Sequence, residues 1–131
     1  MSNLACVANT LHRLTTMKNE LEGRTLEFAI KLVTFVGDFP GTDAAHIVGR
    51  QLLKSGTSIG ANYREANRAE SADDFVHKTG LVQKEAAETD YWLEICTQCG
   101  LGGRADAEAL ANEARELLAI FTTINRKAKR R

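Results

Sequence analysis

Apolar residues recur along this chain at alternating spacings of three and four, the repeat that keeps side chains on one face of an α-helix. From Asp43 onward, Val48, Leu52, Ser55, Ile59, Asn62 and Ala66 trace one such stripe. A second passes through Phe75, Thr79, Val82, Ala86, Thr89, Leu93 and Cys96, and a third through Ala107, Leu110, Ala114, Leu117, Phe121 and Ile124. Ahead of them, "LEFAIKLVTFV" supplies a fourth, with Leu26, Ala29 or Ile30, Val33 and Val36 on one face. The breaks fall where helix chemistry fails. Gly37, Asp38, Pro40, Gly41 and Asp43 gather in "GDFPGTD", a turn that leaves Thr42 or Asp43 as the N-cap of the next helix. Ser71 followed by Asp73 and Asp74 suits a helix start, the glycines of "CGLGGR" mark a stop, and Asp106 is expected to cap the last helix. The β-branched residues sit at helical rather than alternating positions, so no strand is expected. Four amphipathic helices with short connections predict an all-α, up-down-up-down antiparallel four-helix bundle over residues 17–125. Residues 1–16 fit this plan poorly, and the sequence leaves them as an N-terminal extension, a mis-assigned start or a longer first helix.

Composition places the chain among ordinary globular proteins: its 131 residues suit one domain, 44% are hydrophobic and 26% charged. No apolar run approaches the roughly 20 residues that cross a bilayer, and the opening lacks the pattern of a signal peptide, so no membrane contact and a cytoplasmic location are expected. The three cysteines, Cys6, Cys96 and Cys99, form no disulfide framework, which fits a reducing compartment. Charge adds something only when its distribution is considered. Basic and acidic residues number 17 each, yet Arg126, Lys127, Lys129, Arg130 and Arg131 crowd into the tail "NRKAKRR". The remainder holds 12 basic residues against 17 acidic ones. Binding of a polyanion would therefore lean on residues 126–131; the plainer reading is a solvated helix end whose cations favour the negative pole of the helix dipole.

Several motifs point to chemistry that their context denies. "GTSIG" has the Gly-x-Ser-x-Gly form of a nucleophile elbow around Ser58, but an elbow follows a strand and "HIVGRQLLKS" continues a helical stripe. His46, twelve residues earlier on the same helix, lies about 18 Å from Ser58 at the usual rise per residue, too far for a general base. "GRQLLKS" lacks both the strand and the glycine that a phosphate-binding loop requires. "CTQC" is a lone C-x-x-C near a helix C-terminus, where the dipole disfavours a thiolate, and no further pair completes a zinc site. No histidine stands three residues after a glutamate, so a carboxylate-bridged metal pair is not expected. No cofactor and no enzymatic activity are expected. Tyr91 and Trp92, adjacent in "DYWLE", must face different directions, one inward and one toward a subunit contact.

The middle of the second helix is rich in small and polar residues although each glycine there costs about 1 kcal/mol relative to alanine. Gly56 and Gly60, one turn apart, would let a neighbouring helix approach closely. Ser55, Ser58 and Asn62 either face solvent or form a buried polar layer that sets register, with Glu85 or Glu88 as partners.

Residues 51–94, "QLLKSGTSIGANYREANRAESADDFVHKTGLVQKEAAETDYWLE", resemble the signature of the four-helix-bundle family of 23S rRNA intervening-sequence proteins, and are similar to the accessory variability proteins of diversity-generating retroelements. Gln51, Leu52, Ser55, Thr57, Ser58, Ile59, Ala61, Asn62, Glu65, Ser71, Phe75, Glu85, Glu88, Thr89 and Leu93 carry the resemblance, and weaker agreement extends it to roughly residues 20–125. Leu53 and Ala66 depart from it, standing where many members have a basic residue and a glycine; the first change thins the positive charge of that helix. The resemblance implies a bundle assembled into a ring-like homopentamer that contacts nucleic acid, without established enzymatic chemistry. Two functional readings follow: a ring whose five basic tails hold structured RNA or an RNA-handling protein, or a protein-interaction scaffold with no nucleic-acid binding.

Overall fold

The structure, a computed structural model, describes residues 2–130 and contains four helices, α1 (Ser2–Gly37), α2 (Asp43–Ala66), α3 (Ala72–Cys99) and α4 (Arg104–Lys129). Among the described residues there is no strand. The turn chemistry read from sequence sets the boundaries. Thr42 caps α2 by accepting from the Ala45 N–H at 3.2 Å, and Ser71 caps α3 by accepting from the Asp74 N–H at 3.0 Å. Gly100 ends α3 in the left-handed conformation at φ 69°, which glycine adopts without strain. The cap of α4 differs from the expected one: Gly103 is the N-cap and Asp106 sits in the first turn, where its charge complements the helix dipole.

Cross-helix contacts establish antiparallel neighbours throughout. Val36, Leu32 and Thr25 of α1 face Gly49, Gly56 and Gly60 of α2, so the two numberings run in opposite senses. Thr89 meets Ser55 and Lys78 meets Glu65 between α3 and α2, while Asn125 meets Val76 and Arg115 meets Asp90 between α4 and α3. The chain is therefore an up-down four-helix bundle. Its core is filled by Phe28, Leu32, Leu52, Ile59, Val82, Leu93, Leu117 and Phe121, all at most 1% exposed. The Tyr63 ring packs edge-on against Phe121 with centroids 4.9 Å apart, within the preferred range for aromatic pairs.

The inward stripes of α3 and α4 are those the periodicity gives, apart from Phe75 and Ile124, which are half-buried. On α1 the periodicity misleads. Leu26, Ile30 and Val33 are 48%, 57% and 56% exposed, and the buried row is Leu21, Thr25, Phe28, Leu32 and Phe35. Two apolar rows share this helix, and the one holding two phenylalanines and Thr25 turns inward because its side chains meet the glycine steps of α2. A Cβ at Gly56 would run into Leu32 Cδ1, and one at Gly60 would lie 2.9 Å from Thr25 Oγ1. On α2 the same contact rotates the buried face toward Gly49, Gly56, Gly60 and Tyr63, leaving Val48 and Asn62 half-buried.

Candidate nucleic-acid interface

The antiparallel order gathers four features at one end of the bundle: the last turns of α2 and α4, the first turns of α3, and the point where α1 leaves the bundle. Asn67, just past α2, donates to Glu22 of α1 at 2.9 Å, which marks how far α1 stays alongside its neighbour. Beyond it toward the N-terminus, residues 4–17 are helical and exposed, so the segment ahead of residue 17 belongs to a longer first helix that overhangs the bundle.

The basic residues singled out in the tail are not a separate extension. Arg126, Lys127 and Lys129 occupy the last turn of α4, Arg130 follows as its C-cap, and none of the four is buried; Arg131 lies outside the described residues. Helix continuation is expected on physical grounds, since cations in a last turn interact favourably with the unpaired carbonyls there. The turn is held from beneath by Asn125. This residue is 4% exposed, and its Nδ2 donates to the Val76 carbonyl at 2.8 Å and to Thr79 Oγ1 at 2.9 Å. In the sequence Asn125 marks only the bundle's limit. Its position four residues after Phe121, on the inward stripe, is the signal that it is buried and needs partners.

Among the described residues, five lysines and arginines make ion pairs: Arg24, Lys31, Lys78, Arg104 and Arg115. Of the cations without one, all except Arg50, Lys54 and Lys84 lie at or beyond the end described above. They are Arg13 and Lys18 on α1, Arg64 and Arg68 where α2 finishes, and the four of α4. Acidic residues are present there too. Glu65 is engaged by Lys78 at 3.2 Å, and Asp73 and Asp74 sit in the first turn of α3. The surface can hold an anionic ligand by charge.

The small and polar residues of α2 divide. Ser55, Gly56 and Gly60 are buried, whereas Ser58, Asn62 and Glu85 are half-buried and Glu88 is exposed. The expectation that glutamates satisfy the layer is corrected: the partner of Ser55 is Thr89, whose Oγ1 lies 3.0 Å from Ser55 Oγ and 2.7 Å from the Glu85 carbonyl. A hydroxyl pair satisfies itself at little desolvation cost, whereas a buried carboxylate would demand a cation. Ser58 and Asn62 instead bond within their own helix, to the carbonyls of Lys54 and Ser58. Desolvation still pushes the Glu85 carboxyl above its usual range, with Glu88 adding repulsion.

The Ser58 hydroxyl is thus committed to its own helix. Burial pushes the Cys96 thiol up to about 11, the opposite of what a redox or metal-binding cysteine needs, while Cys6 and Cys99 are exposed. Among the described residues no cluster of histidine, cysteine or acidic side chains is arranged for a metal ion, and no helix is long and apolar enough to cross a membrane. Tyr91 is 58% exposed, and Trp92 is half-buried with an Nε1–H that finds no acceptor among the described residues.

A model of the 23S rRNA-intervening sequence protein family matches residues 17–123. A crystal structure of a protein of unknown function from the S23 ribosomal protein family of Bacteroides thetaiotaomicron VPI-5482 is 35% identical, covers 83% of this chain and 97% of its own, and has a TM-score of 0.76. No curated protein matches. The overhang of α1 ahead of residue 17 and the basic turn after residue 123 both lie outside the family match.

Proposed function

Since the chain belongs to the 23S rRNA-intervening sequence protein family, we propose that it is a non-enzymatic, cytoplasmic homo-oligomer that binds structured RNA through its basic end. The observation that carries this reading is the concentration of unpaired cations at one end of an otherwise acidic body. Lysine and arginine there can displace the counterions of a polyphosphate, and that release is what makes such binding favourable and dependent on salt. Assembly into a ring-like homopentamer, the form suggested by family resemblance, would present five such ends together, and multivalency would raise their joint affinity above that of one. The family's name, taken from 23S rRNA, is consistent with an RNA ligand.

The test is a titration of fluorescent structured RNA at low and near-physiological salt with the full chain and with an Arg126→Gln, Lys127→Gln, Lys129→Gln, Arg130→Gln variant. Each cation that no longer neutralises a phosphate lowers the slope of log affinity against log salt by about 0.7–0.9, so removing four lowers it by roughly 3. Equal affinity and slope for the two proteins refutes the basic end as the contact surface. Absence of binding even at low salt refutes the RNA reading altogether, and favours a protein-interaction scaffold that works through its acidic body.

A further inference from the structure

Spacings of three and four run unbroken along α1 through Leu4, Val7, Leu11, Leu14, Lys18, Leu21, Thr25, Phe28, Leu32 and Phe35. From Leu21 onward this row is the one buried in the bundle; ahead of it Leu4, Val7, Leu11 and Leu14 are 80%, 55%, 59% and 54% exposed. A core stripe continues for two heptads past the last helix that could cover it. Such a row in water is an unmet binding surface.

The same chain offers a groove with a partly apolar lining, in which Phe28, Ile30, Phe35, Ala109 and Leu110 stand among seven polar or charged residues. α1 and α4 are the least closely packed neighbours, and between them runs an open groove of about 600 Å³ floored by Phe28, Phe35 and Leu110. Ile30, exposed on the outer row of α1, forms part of its wall together with Ala109 of α4. The groove follows α1 from Arg24 to Asp38, about 21 Å at the usual helical rise, while the overhang from Ser2 to Met17 is about 22 Å long. Charge agrees with length. Arg24 and Lys31 are neutralised by Glu113 and Glu27, which leaves Asp38 and Asp106 on the groove without ion partners among the described residues. The overhang carries Arg13, and the sequence has no acidic side chain before Glu20.

We infer that the α1 overhang of one copy lays Leu4, Val7, Leu11 and Leu14 into the α1–α4 groove of a second copy. The inference rests on the homo-oligomer part of the reading above and not on RNA binding. A continuous helix cannot fold back onto its own groove, so the occupant comes from another chain. Pairing of two overhangs with each other is the weaker arrangement. It offers only two heptads, short of the three or four that sustain a coiled coil, and it brings Arg13 and Lys18 of both copies together. A contact between unlike surfaces is heterologous, so each copy has both a free donor and a free acceptor until the assembly closes.

The experiment measures mass by light scattering and sedimentation across a dilution series. Three proteins are compared: the full chain, a Leu11→Glu/Leu14→Glu variant, and an Ile30→Arg/Ala109→Arg variant. All four positions are exposed, so circular dichroism should show unchanged helicity. Each variant should dissociate at a concentration on the order of 100-fold higher than wild type, because two apolar side chains no longer bury their surface on association. Mixing the two variants should restore a complex containing both chains, because one keeps the groove and the other keeps the overhang. A wild-type chain that is monomeric at all concentrations overturns both this inference and the homo-oligomer reading. An oligomeric wild type with a shift below tenfold in either variant overturns the inference alone. So does a mixture that stays apart, which would mean like surfaces meet.

Discussion

Gly60 makes a quantitative test of how closely α1 and α2 approach. Replacing glycine by alanine in a helix ordinarily stabilises by about 1 kcal/mol, through a smaller loss of backbone entropy. At Gly60 the added Cβ would stand 2.9 Å from Thr25 Oγ1, 3.1 Å from Thr25 Cβ and 3.5 Å from the Thr25 carbonyl carbon. None of these atoms is the free end of a long side chain. Thr25 is fully buried, and its hydroxyl is held 2.8 Å from the Leu21 carbonyl, so relief requires α1 to move. Overpacking of this kind costs roughly 1–3 kcal/mol, which outweighs the propensity gain. Gly60→Ala should therefore destabilise by as much as about 2 kcal/mol, the overpacking cost less the propensity gain. Gly23 is the control: it lies in α1 with nothing within 4 Å of a Cβ, so Gly23→Ala should stabilise by about 0.5–1 kcal/mol. Urea denaturation followed by circular dichroism at one fixed protein concentration reads both. Equal effects of the two substitutions, or a Gly60→Ala protein more stable than wild type, would refute the close approach. Thr25→Ala should recover part of the loss in the double variant, because it removes the nearest atom.

Glu113 accepts a bidentate pair from Arg24, with Nε at 2.8 Å and Nη2 at 2.6 Å, and that guanidinium holds its carboxyl below the usual value of 4.5. A depressed carboxyl adds stability above its unfolded value and loses it as pH falls through the folded one. Glu113→Gln should thus cost about 0.5–1 kcal/mol at pH 7, a modest value because Arg24 is 37% exposed; the gap should close below pH 4.5, and a gap that widens in acid would refute the assignment. In alkylation at pH 8, Cys6 and Cys99 should react readily while Cys96, buried and pushed up to about 11, should react only after unfolding; mass spectrometry of the labelled native protein counts them.

Periodicity recovers α3 and α4 almost residue by residue, although apolar residues off the stripe, Val76, Leu81, Trp92 and Ile95 on α3 and Leu118 and Ile120 on α4, are half-buried as well. It fails on α1 because two apolar rows compete there, and nothing local says which one meets a partner within the chain. The deciding fact, that Gly56 and Gly60 receive Leu32 and Thr25, belongs to a pair of helices rather than to one. Turn chemistry is readable wherever a side chain makes the cap, as at Thr42 and Ser71, and misplaced where glycine does, at Gly103. At the candidate site, the charge cluster of Arg126 to Arg130 is visible in sequence, but its neighbours are not. Arg64, Arg68, Arg13 and Lys18 join it only because antiparallel packing brings three helix ends together. The polar layer is anticipated at Ser55, but its partner, Thr89, hides among residues counted as part of an apolar stripe.

The overhang and the basic turn meet at the same end of the bundle, and this couples the two proposals in a way that can be measured. If copies associate by the overhang, the affinity for RNA depends on residues that carry no charge. Leu11→Glu/Leu14→Glu would leave every cation of α4 in place yet separate the copies, so the tails would act singly. Linking two sites typically raises overall avidity by about 10²–10⁴ over one, and separation should remove a gain of that order from binding to a long structured RNA. Two added acids per chain also repel phosphate, so Leu11→Gln/Leu14→Gln serves as the neutral control; it removes the apolar contact without adding charge. A short hairpin that spans one basic end should be bound by this control nearly as well as by wild type, while a long RNA should lose affinity steeply. Loss on both RNAs alike would show that the overhang touches RNA directly. Loss on neither would show that assembly and RNA binding are independent.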